Sequence, residues 1–365
     1  MKLDQITFTR YIAALTVVFF HFGQQAFPAT HPWWHPVVTA GPIAVSYFFV
    51  LSGFIMAVAY YSPSDRPFNQ WQYWLARFAR IYPVYLLALL LMVVANLKTD
   101  GRDPLTVLLS LSMLQAWVPG YAMTLNSPGW SLSVEALFYL AFPLLLLLVR
   151  KQGVQKLFVV GLVLWVSTQI LQAWLHNLPA YAPKTALHEF IYYHPLMHVS
   201  TFILGLVAGI YFCDGKLAWL TNRWNGICVL LVSALAIFAL AYEQRIEAGI
   251  GFLIDYNNGL IAPLFLGIII LLAANNGWTK QVLSLPILVL LGEASYSLYI
   301  LQRPAYGIYD RTLGNWLHLD PNLHYYLFAL LLTVASVLSF KYLETPLRRF
   351  INSFYGLSGK SSQTG

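Results

Sequence analysis

The sequence predicts an all-α, polytopic integral membrane protein, a bundle of transmembrane helices, and three observations lead to this prediction. The 365 residues are 59% hydrophobic and only 10% charged, with a mean hydropathy of +0.63, whereas soluble domains carry about 25% charged residues. Apolar stretches long enough to cross a bilayer recur along the whole chain. The net charge of +7 comes from basic residues scattered between these stretches, which is typical of cytoplasmic loops and argues against nucleic-acid binding.

The apolar stretches predict about ten transmembrane helices, with both termini in the cytoplasm. They cover residues 6–24, 41–61, 81–97, 130–149, 155–175, 195–213, 226–242, 256–274, 286–302 and 323–343. A further stretch, 104–118, is too short for a hydrocarbon core of ~30 Å. If it crossed the membrane, the basic loop at Arg150 and Lys151 would lie outside. We therefore expect 104–118 to be re-entrant or to lie on the outer surface.

The same pattern predicts the domain organisation. Residues 1–350 form one membrane-embedded domain, and residues 351–365 form a short polar cytoplasmic tail. The sequence shows no internal repeat, and its two cysteines, Cys213 and Cys228, fit neither a metal motif nor a disulfide framework. We expect both cysteines to be plain thiols.

The first apolar stretch contains two ionisable residues, Arg10 and His21. Such residues are costly inside a membrane and usually mark a functional site. They lie about three helical turns apart, so they share one helix face at two depths, separated by roughly 16 Å. On the predicted topology Arg10 lies towards the cytoplasm and His21 towards the outer face. An imidazole is the side chain best suited to act as a general base near neutral pH.

A general base of this kind needs a partner that orients it, and a carboxylate is the usual one. Glu135 lies about one and a half turns into a span entered from outside, so we expect it near the depth of His21. We therefore predict His21 and Glu135 as a catalytic pair. The alternative is that Glu135 is a protonated, hydrogen-bonded structural carboxyl.

A second constellation lies at the predicted cytoplasmic rim, where Arg77 and Arg80 are followed by Tyr82. Two guanidinium groups at i and i+3 share a helix face and suit a phosphate group. The alternative is ordinary membrane anchoring by basic residues. Together with Arg10 they indicate a phosphorylated cytoplasmic ligand. Glu293 is expected near Arg10, either as a structural ion-pair partner or as part of the ligand site.

Two other features leave alternatives open. Ser52 and Gly53 are small residues in the middle of a span, which favours close helix packing, with a binding cavity as the alternative. His194 and His198 have the i, i+4 spacing of zinc ligands, but no acidic third ligand is evident, so we expect no metal site.

Taken in order along the chain, these motifs resemble acyltransferase family 3, the multi-pass bacterial membrane enzymes that O-acylate surface polysaccharides. The resemblance covers roughly residues 3 to 350. Its motifs are Arg10 to His21, Phe49–Phe54, Arg77 to Arg80 with Tyr82 and Pro83, Trp130–Glu135, Ala294–Tyr299 and Tyr342–Pro346. One departure is Gln302, since many relatives have a histidine at this point after the Ser-Tyr-x-x-Tyr motif.

The resemblance implies an acyl donor, usually acetyl-CoA, that enters from the cytoplasm, and an acceptor hydroxyl on the outer side of the inner membrane. The implied donor contacts are Arg10, Arg77 and Arg80, and we expect Tyr82 and Ser52 to lie at the same site. His21 is the implied catalytic base. The implied acceptor is an exported polysaccharide, such as exopolysaccharide or lipopolysaccharide O-antigen, or a lipid-linked glycan. Polysaccharide assembly proteins are possible partners.

The resulting hypothesis is an O-acetyltransferase in which His21, oriented by Glu135, deprotonates a sugar hydroxyl that attacks the thioester. A covalent acyl intermediate on His21, Ser52 or Ser131 is an alternative route. The alternative function is a glycan or lipid-intermediate transporter that uses His21 and Glu135 as a proton relay. The chain lacks the repeated halves common among transporters, which weakens that alternative. An assembly scaffold is a third possibility.

Overall fold

Helices make up the fold. The structure is a computed structural model and describes residues 3–62, 68–97 and 103–354. Within these ranges the helices are α1 (Asp4–Phe22), α2 (His35–Thr39), α3 (Ile43–Tyr60), α4 (Gln70–Ala95), α5 (Pro104–Leu111), α6 (Trp130–Gln152), α7 (Val154–His176), α8 (Ala186–Tyr193), α9 (Val199–Cys213), α10 (Asn225–Ala241), α11 (Glu243–Ile250), α12 (Ala262–Ala273), α13 (Trp278–Leu283), α14 (Pro286–Glu293), α15 (Ser295–Tyr309), α16 (Asn315–Leu317), α17 (Pro321–Ser339) and α18 (Thr345–Phe354). The same ranges contain no named β-strand. The all-α prediction is confirmed.

Short 3₁₀ and π segments extend several of these helices. The 3₁₀ turns are Gln115–Trp117, Ser127–Gly129, Pro195–His198 and Ala218–Leu220, and the π segments are Asp310–Gly314 and Phe340–Glu344. As a result some continuous helical rods are longer than the α-helices they contain.

Six helical rods in the described ranges are long and apolar enough to cross a membrane. They are Ile43–Tyr60, Gln70–Ala95, Ser127–Gln152, Val154–His176, Ala186–Cys213 and Pro321–Phe354. The pair α10 and α11, bent by 60°, gives a seventh if it is one broken span. The protein therefore has the character of a membrane protein, while the predicted count of about ten spans is not confirmed.

The span predicted at 256–274 is wrong in its first part. Helix α12 begins only at Ala262, and the preceding residues form an irregular segment. Side chains from neighbouring helices bond its carbonyl oxygens: Ser46 bonds Asn257, and Trp165 bonds Gly259. Irregular backbone inside a helical bundle is tolerated where protein groups satisfy it in this way. Hydropathy detects the apolar side chains of such a segment but not its backbone partners.

Two other predicted segments also differ from single straight helices. The stretch 286–302 is divided between α14 and α15, which meet at Ala294. The stretch 104–118 contains α5, eight residues long, followed by the turn Gln115–Trp117. At ~1.5 Å per residue, α5 cannot span a bilayer, as expected. The predicted tail 351–365 begins within α18, and residues 355–365 lie outside the described part of the chain.

Close helix packing fixes the centre of the bundle. Helices α3 and α9 pack closely along their length. The glycines allow this approach, since a side chain on Gly53 would collide with the Phe202 carbonyl and one on Gly205 with the Val50 carbonyl. Gly292 places α14 against α1 in the same way, at the Thr7 carbonyl. Small residues commonly allow such approaches between membrane helices. Helix α1 thus runs through the bundle beside α3, α14 and α15.

Candidate active site

Cavities follow one another along α1, and each shares lining residues with the next. At one end, a mouth cavity of about 80 Å³ adjoins an arginine cavity of about 90 Å³, and Arg10, Arg77 and Arg80 line both. Glu293 lines the mouth cavity, and Ser52 and Glu135 line the arginine cavity. The three predicted donor-site arginines are therefore brought together, although they come from α1 and α4.

The arginine cavity is strongly cationic. Among the described residues no carboxylate oxygen lies within 4 Å of a nitrogen of these three arginines. The Arg77 guanidinium lies over the Tyr60 ring, 5.3 Å from its centroid, and its Nε is buried without a hydrogen-bond partner. A buried donor with no partner costs free energy, and most buried donors in proteins are paired with another group or with ordered water. These features fit a ligand that carries phosphate groups.

A middle cavity of about 50 Å³ continues from the arginine cavity. Arg10, Glu135 and Tyr296 line both cavities, and Ser131 and Tyr299 line the middle one. Glu135 accepts a hydrogen bond from the Tyr139 hydroxyl at 2.9 Å, one turn further along α6. The carboxyl group therefore lies on the arginine side of the series of cavities.

Beyond the middle cavity lies a histidine cavity of about 300 Å³, which shares Val45 and Tyr299 with it. His21 lines the histidine cavity and also a wider vestibule of about 500 Å³. The imidazole is thus the group common to an inner and an outer compartment. The histidine cavity is further lined by Trp130, His188, Tyr193, His198 and Asn257, and the vestibule by Gln24, Gln25, Arg303, Tyr306 and His324.

The predicted pair of His21 and Glu135 is not formed. His21 Nδ1 and the amide oxygen of Gln302 lie 2.8 Å apart, and Glu135 is bonded to Tyr139 instead. The helical rod that carries Glu135 begins at Ser127, so Glu135 lies more than two turns inside it, whereas His21 is in the last turn of α1. The two side chains are at different depths, and an amide takes the place predicted for the carboxylate.

Tyr82 and Ser52 have different surroundings. The Tyr82 hydroxyl donates to the carbonyl of Leu111 at 3.1 Å, and Tyr82 is absent from the lining of the mouth and arginine cavities. It therefore ties α4 to the end of α5. Ser52 does line the arginine cavity, and its hydroxyl points at the Met56 sulfur, 3.8 Å away.

Sequence reasoning assigned no role in the site to three residues near His21. Gln302 is fully buried, and Tyr299 lines both the middle and histidine cavities. The Arg303 Nε donates to the Ser127 hydroxyl at 2.9 Å. All three lie on α15, within or just after its Ser-Tyr-x-x-Tyr segment. The polar residues in this otherwise apolar stretch were the available signal.

The residues with zinc-ligand spacing serve other contacts. His198 Nε2 lies 3.1 Å from the Tyr192 carbonyl oxygen, and the His194 ring packs against Phe190. No group of three or more histidine, cysteine, aspartate or glutamate side chains in the described ranges is arranged to hold a metal ion.

Comparison with known proteins identifies the family. The family model described as an acyltransferase domain matches residues 3–341, nearly the whole chain. The chain belongs to acyltransferase family 3. The protein is therefore an acyltransferase, as the motifs indicated.

Several curated relatives carry related names. The acyltransferase MdmB of Streptomyces mycarofaciens is 31% identical over 86% of this chain and 81% of its own length. A putative O-acetyltransferase of Staphylococcus aureus (strain COL) is 22% identical over 93% of this chain and 56% of its own length. The peptidoglycan O-acetyltransferase OatA of Listeria monocytogenes is 23% identical over 88% of this chain and 54% of its own length.

The chain thus spans most of MdmB but just over half the length of the staphylococcal and listerial relatives. No solved structure gives a significant match to it. The staphylococcal and listerial relatives are named as O-acetyltransferases, and MdmB as an acyltransferase.

Proposed function

We propose that this protein is a membrane O-acetyltransferase that moves an acetyl group from acetyl-CoA at the arginine end to a glycan hydroxyl at the His21 end. The observation that carries the proposal is the series of cavities along α1, with three arginines at one end and His21 at the other. A donor with anionic phosphates and a long thioester arm matches this arrangement of charge and shape.

On the donor side, Arg77, Arg80 and Arg10 bind the phosphate groups. Arg77 is the strongest candidate, because its Nε is buried without a partner and the Tyr60 ring holds its guanidinium in place. The acyl-bearing arm then extends past Ser131 and Tyr299 into the histidine cavity. Glu135 lies among the arginines, so we propose that it positions Arg10 and Arg80 rather than His21.

On the acceptor side, His21 is the general base. Its Nε2 takes the proton from the acceptor hydroxyl as the oxygen attacks the thioester carbonyl. The carbon–sulfur bond then breaks, and the imidazolium returns the proton to the departing thiolate. General base catalysis of this kind is worth typically ~10²–10⁴-fold in rate. Direct transfer requires no covalent acyl-enzyme.

The acceptor enters through the vestibule, which is the wider compartment at His21 and is lined by polar side chains. The relative OatA is named as a peptidoglycan O-acetyltransferase, which supports a polysaccharide or a lipid-linked glycan as the acceptor class here. We place the vestibule on the outer side of the bacterial inner membrane and the arginines on the cytoplasmic side, in agreement with the basic loops of the sequence.

The O-acetyl content of the exported polysaccharide tests this proposal. NMR would be recorded on polymer from a deletion strain complemented with wild type, His21→Ala or the exposed-histidine control His31→Ala, at matched membrane levels. We expect acetylation with wild type and with His31→Ala, but not with His21→Ala. Normal acetylation with His21→Ala would remove His21 as the base. Loss of polymer export from the deletion strain would instead favour a transporter.

A further inference from the structure

The contacts of Gln302 determine which nitrogen of His21 carries the proton. Gln302 is fully buried on α15, one turn beyond Tyr299. Its amide nitrogen donates to the Tyr299 carbonyl at 2.7 Å, and its amide oxygen lies 2.8 Å from His21 Nδ1. Both ends of the amide are therefore engaged within hydrogen-bond distance.

The orientation of a glutamine amide is usually ambiguous, but here the backbone resolves it. A carbonyl oxygen only accepts hydrogen bonds, so the group of Gln302 that faces Tyr299 must be the NH₂. The amide oxygen must then face His21. Because this oxygen also only accepts, His21 Nδ1 must carry the proton.

We propose that Gln302 is a positioning residue that holds neutral His21 as the Nδ1–H tautomer and leaves the lone pair of Nε2 for the acceptor hydroxyl. Nε2 has no hydrogen-bond partner among the described residues, and the imidazole borders both the histidine cavity and the vestibule. This inference rests on the proposed function only for the role of Nε2, since the tautomer itself follows from the contacts of Gln302.

The use of an amide has a chemical consequence. An ionised carboxylate at this position would also accept from Nδ1–H and would stabilise the imidazolium through its negative charge, but it could not donate to the Tyr299 carbonyl as the amide does. Gln302 supplies the orientation without the charge. The titratable and charged groups that face the two compartments around His21 are Arg303, His324, Tyr306, His188, His198, Tyr192, Tyr193 and Tyr299. Since carboxylates are absent from this set, a glutamate at position 302 would be the only acid among the described residues that line these two compartments.

The tautomer can be measured directly by ¹⁵N NMR of the protein labelled at histidine, in detergent near pH 7. The His21 signal is assigned as the one lost in His21→Ala. We expect a protonated Nδ1 and an unprotonated Nε2 in wild type, and a mixture of tautomers in Gln302→Leu. A wild-type signal with the proton on Nε2 would overturn the proposal, whatever the role of His21 in catalysis.

Kinetics separate positioning from a purely structural role. The activity assay measures transfer from [¹⁴C]acetyl-CoA to glycan extracted from the deletion strain. Gln302→Leu should lower kcat by ~10- to 100-fold, by analogy with the loss of a partner that orients a metal-ligating histidine. Gln302→Glu keeps an acceptor for Nδ1–H, and its ionised form should move the acidic limb of the pH–rate profile to higher pH.

The matched control is Gln115→Leu, which removes another buried glutamine that donates to a backbone carbonyl, that of Gly129; Gln115 lines neither compartment at His21. It should reduce thermal stability as much as Gln302→Leu while leaving the pH profile unchanged. If Gln302→Leu keeps both the wild-type kcat and the wild-type tautomer, the positioning role is contradicted. If the tautomer is as proposed but His21→Ala remains active, the proposed function fails and the inference about Gln302 stands.

Discussion

At the scale of single residues, the two ends of α1 have different chemical environments. Arg10 lies among guanidinium groups that have no carboxylate within 4 Å in the described ranges. His21 lies beside a neutral amide. The positive charge that attracts an anionic donor therefore lies at one end of α1, at Arg10, and the imidazole that takes a proton lies at the other end, at His21.

The arginines should affect donor binding more than the chemical step. We expect Arg77→Gln or Arg80→Gln to raise the KM for acetyl-CoA ~10- to 100-fold, because each removes a charge-assisted hydrogen bond worth ~1.5–3 kcal/mol. Steady-state kinetics with acetyl-CoA as the varied substrate measure this. Arg349→Gln, an exposed arginine on α18, is the control for lost positive charge. A fall in kcat with an unchanged KM would contradict a role in donor binding.

At the scale of elements, the site depends on how closely the helices approach one another. Gly53 and Gly205 let the backbones of α3 and α9 touch, and Ser52, next to Gly53, lines the arginine cavity. The packing of this helix pair therefore sets one wall of the donor site.

Gly205→Ala should destabilise the protein, because its methyl group would collide with the Val50 carbonyl. Overpacking of this kind costs typically ~1–3 kcal/mol. Gly267→Ala is the matched control: its added methyl group meets only Val232, at 4.0 Å, so the substitution should be neutral or slightly stabilising. The midpoint of thermal unfolding in detergent, followed by tryptophan fluorescence, measures both. Equal midpoints for the two variants would contradict the close approach.

The segment before α12 is a second element whose stability can be tested. Asp255 is buried there and accepts from the backbone N–H of Asn257 at 2.9 Å, which helps to hold the loop that lines the histidine cavity. Burial is the main cause that raises the pKa of Asp255 to about 6, and the nearby Glu247 carboxylate adds to it.

Because the folded protein holds this proton more tightly than the unfolded chain does, the contribution of Asp255 to the free energy of unfolding is greatest at low pH. It is lost as the pH rises from the unfolded pKa of about 3.8 through the folded value. Asp255→Asn should lack this loss while keeping the acceptor for Asn257. Thermal unfolding midpoints at pH 5 and pH 7.5 should therefore fall more in wild type than in Asp255→Asn. A parallel decrease in both proteins would show that Asp255 does not titrate in this range.

At the scale of the whole molecule, the sequence was informative about what lies along one helix. The spacing of Arg10 and His21 on α1 follows from the helical period, and Arg77 and Arg80 on one face of α4 follow in the same way. The all-α class and the acyltransferase family were likewise predictable, since they rest on hydropathy and on motifs in a fixed order.

Contacts between helices were not predictable in the same way. The helical period of α1 does not indicate that His21 contacts Gln302 rather than Glu135. That contact depends on where the helical rod containing α6 begins and on how α15 packs against α1. The break at Ala294 and the irregular segment before Ala262 were hidden for a related reason. Side chains from other helices satisfy the carbonyl groups of the segment before Ala262, and local hydrogen bonds satisfy those at the break; hydropathy registers neither.

The central claim is that the acetyl group passes from a donor at the arginine end to an acceptor on the opposite side of the membrane at His21. Inverted membrane vesicles from the deletion strain expose the cytoplasmic face, enclose the glycan acceptor, and can carry wild type or His21→Ala. With [¹⁴C]acetyl-CoA added outside intact vesicles, we predict label on the enclosed glycan for wild type and none for His21→Ala. Equal labelling with His21→Ala, or labelling by wild type only after the vesicles are opened, would contradict the account.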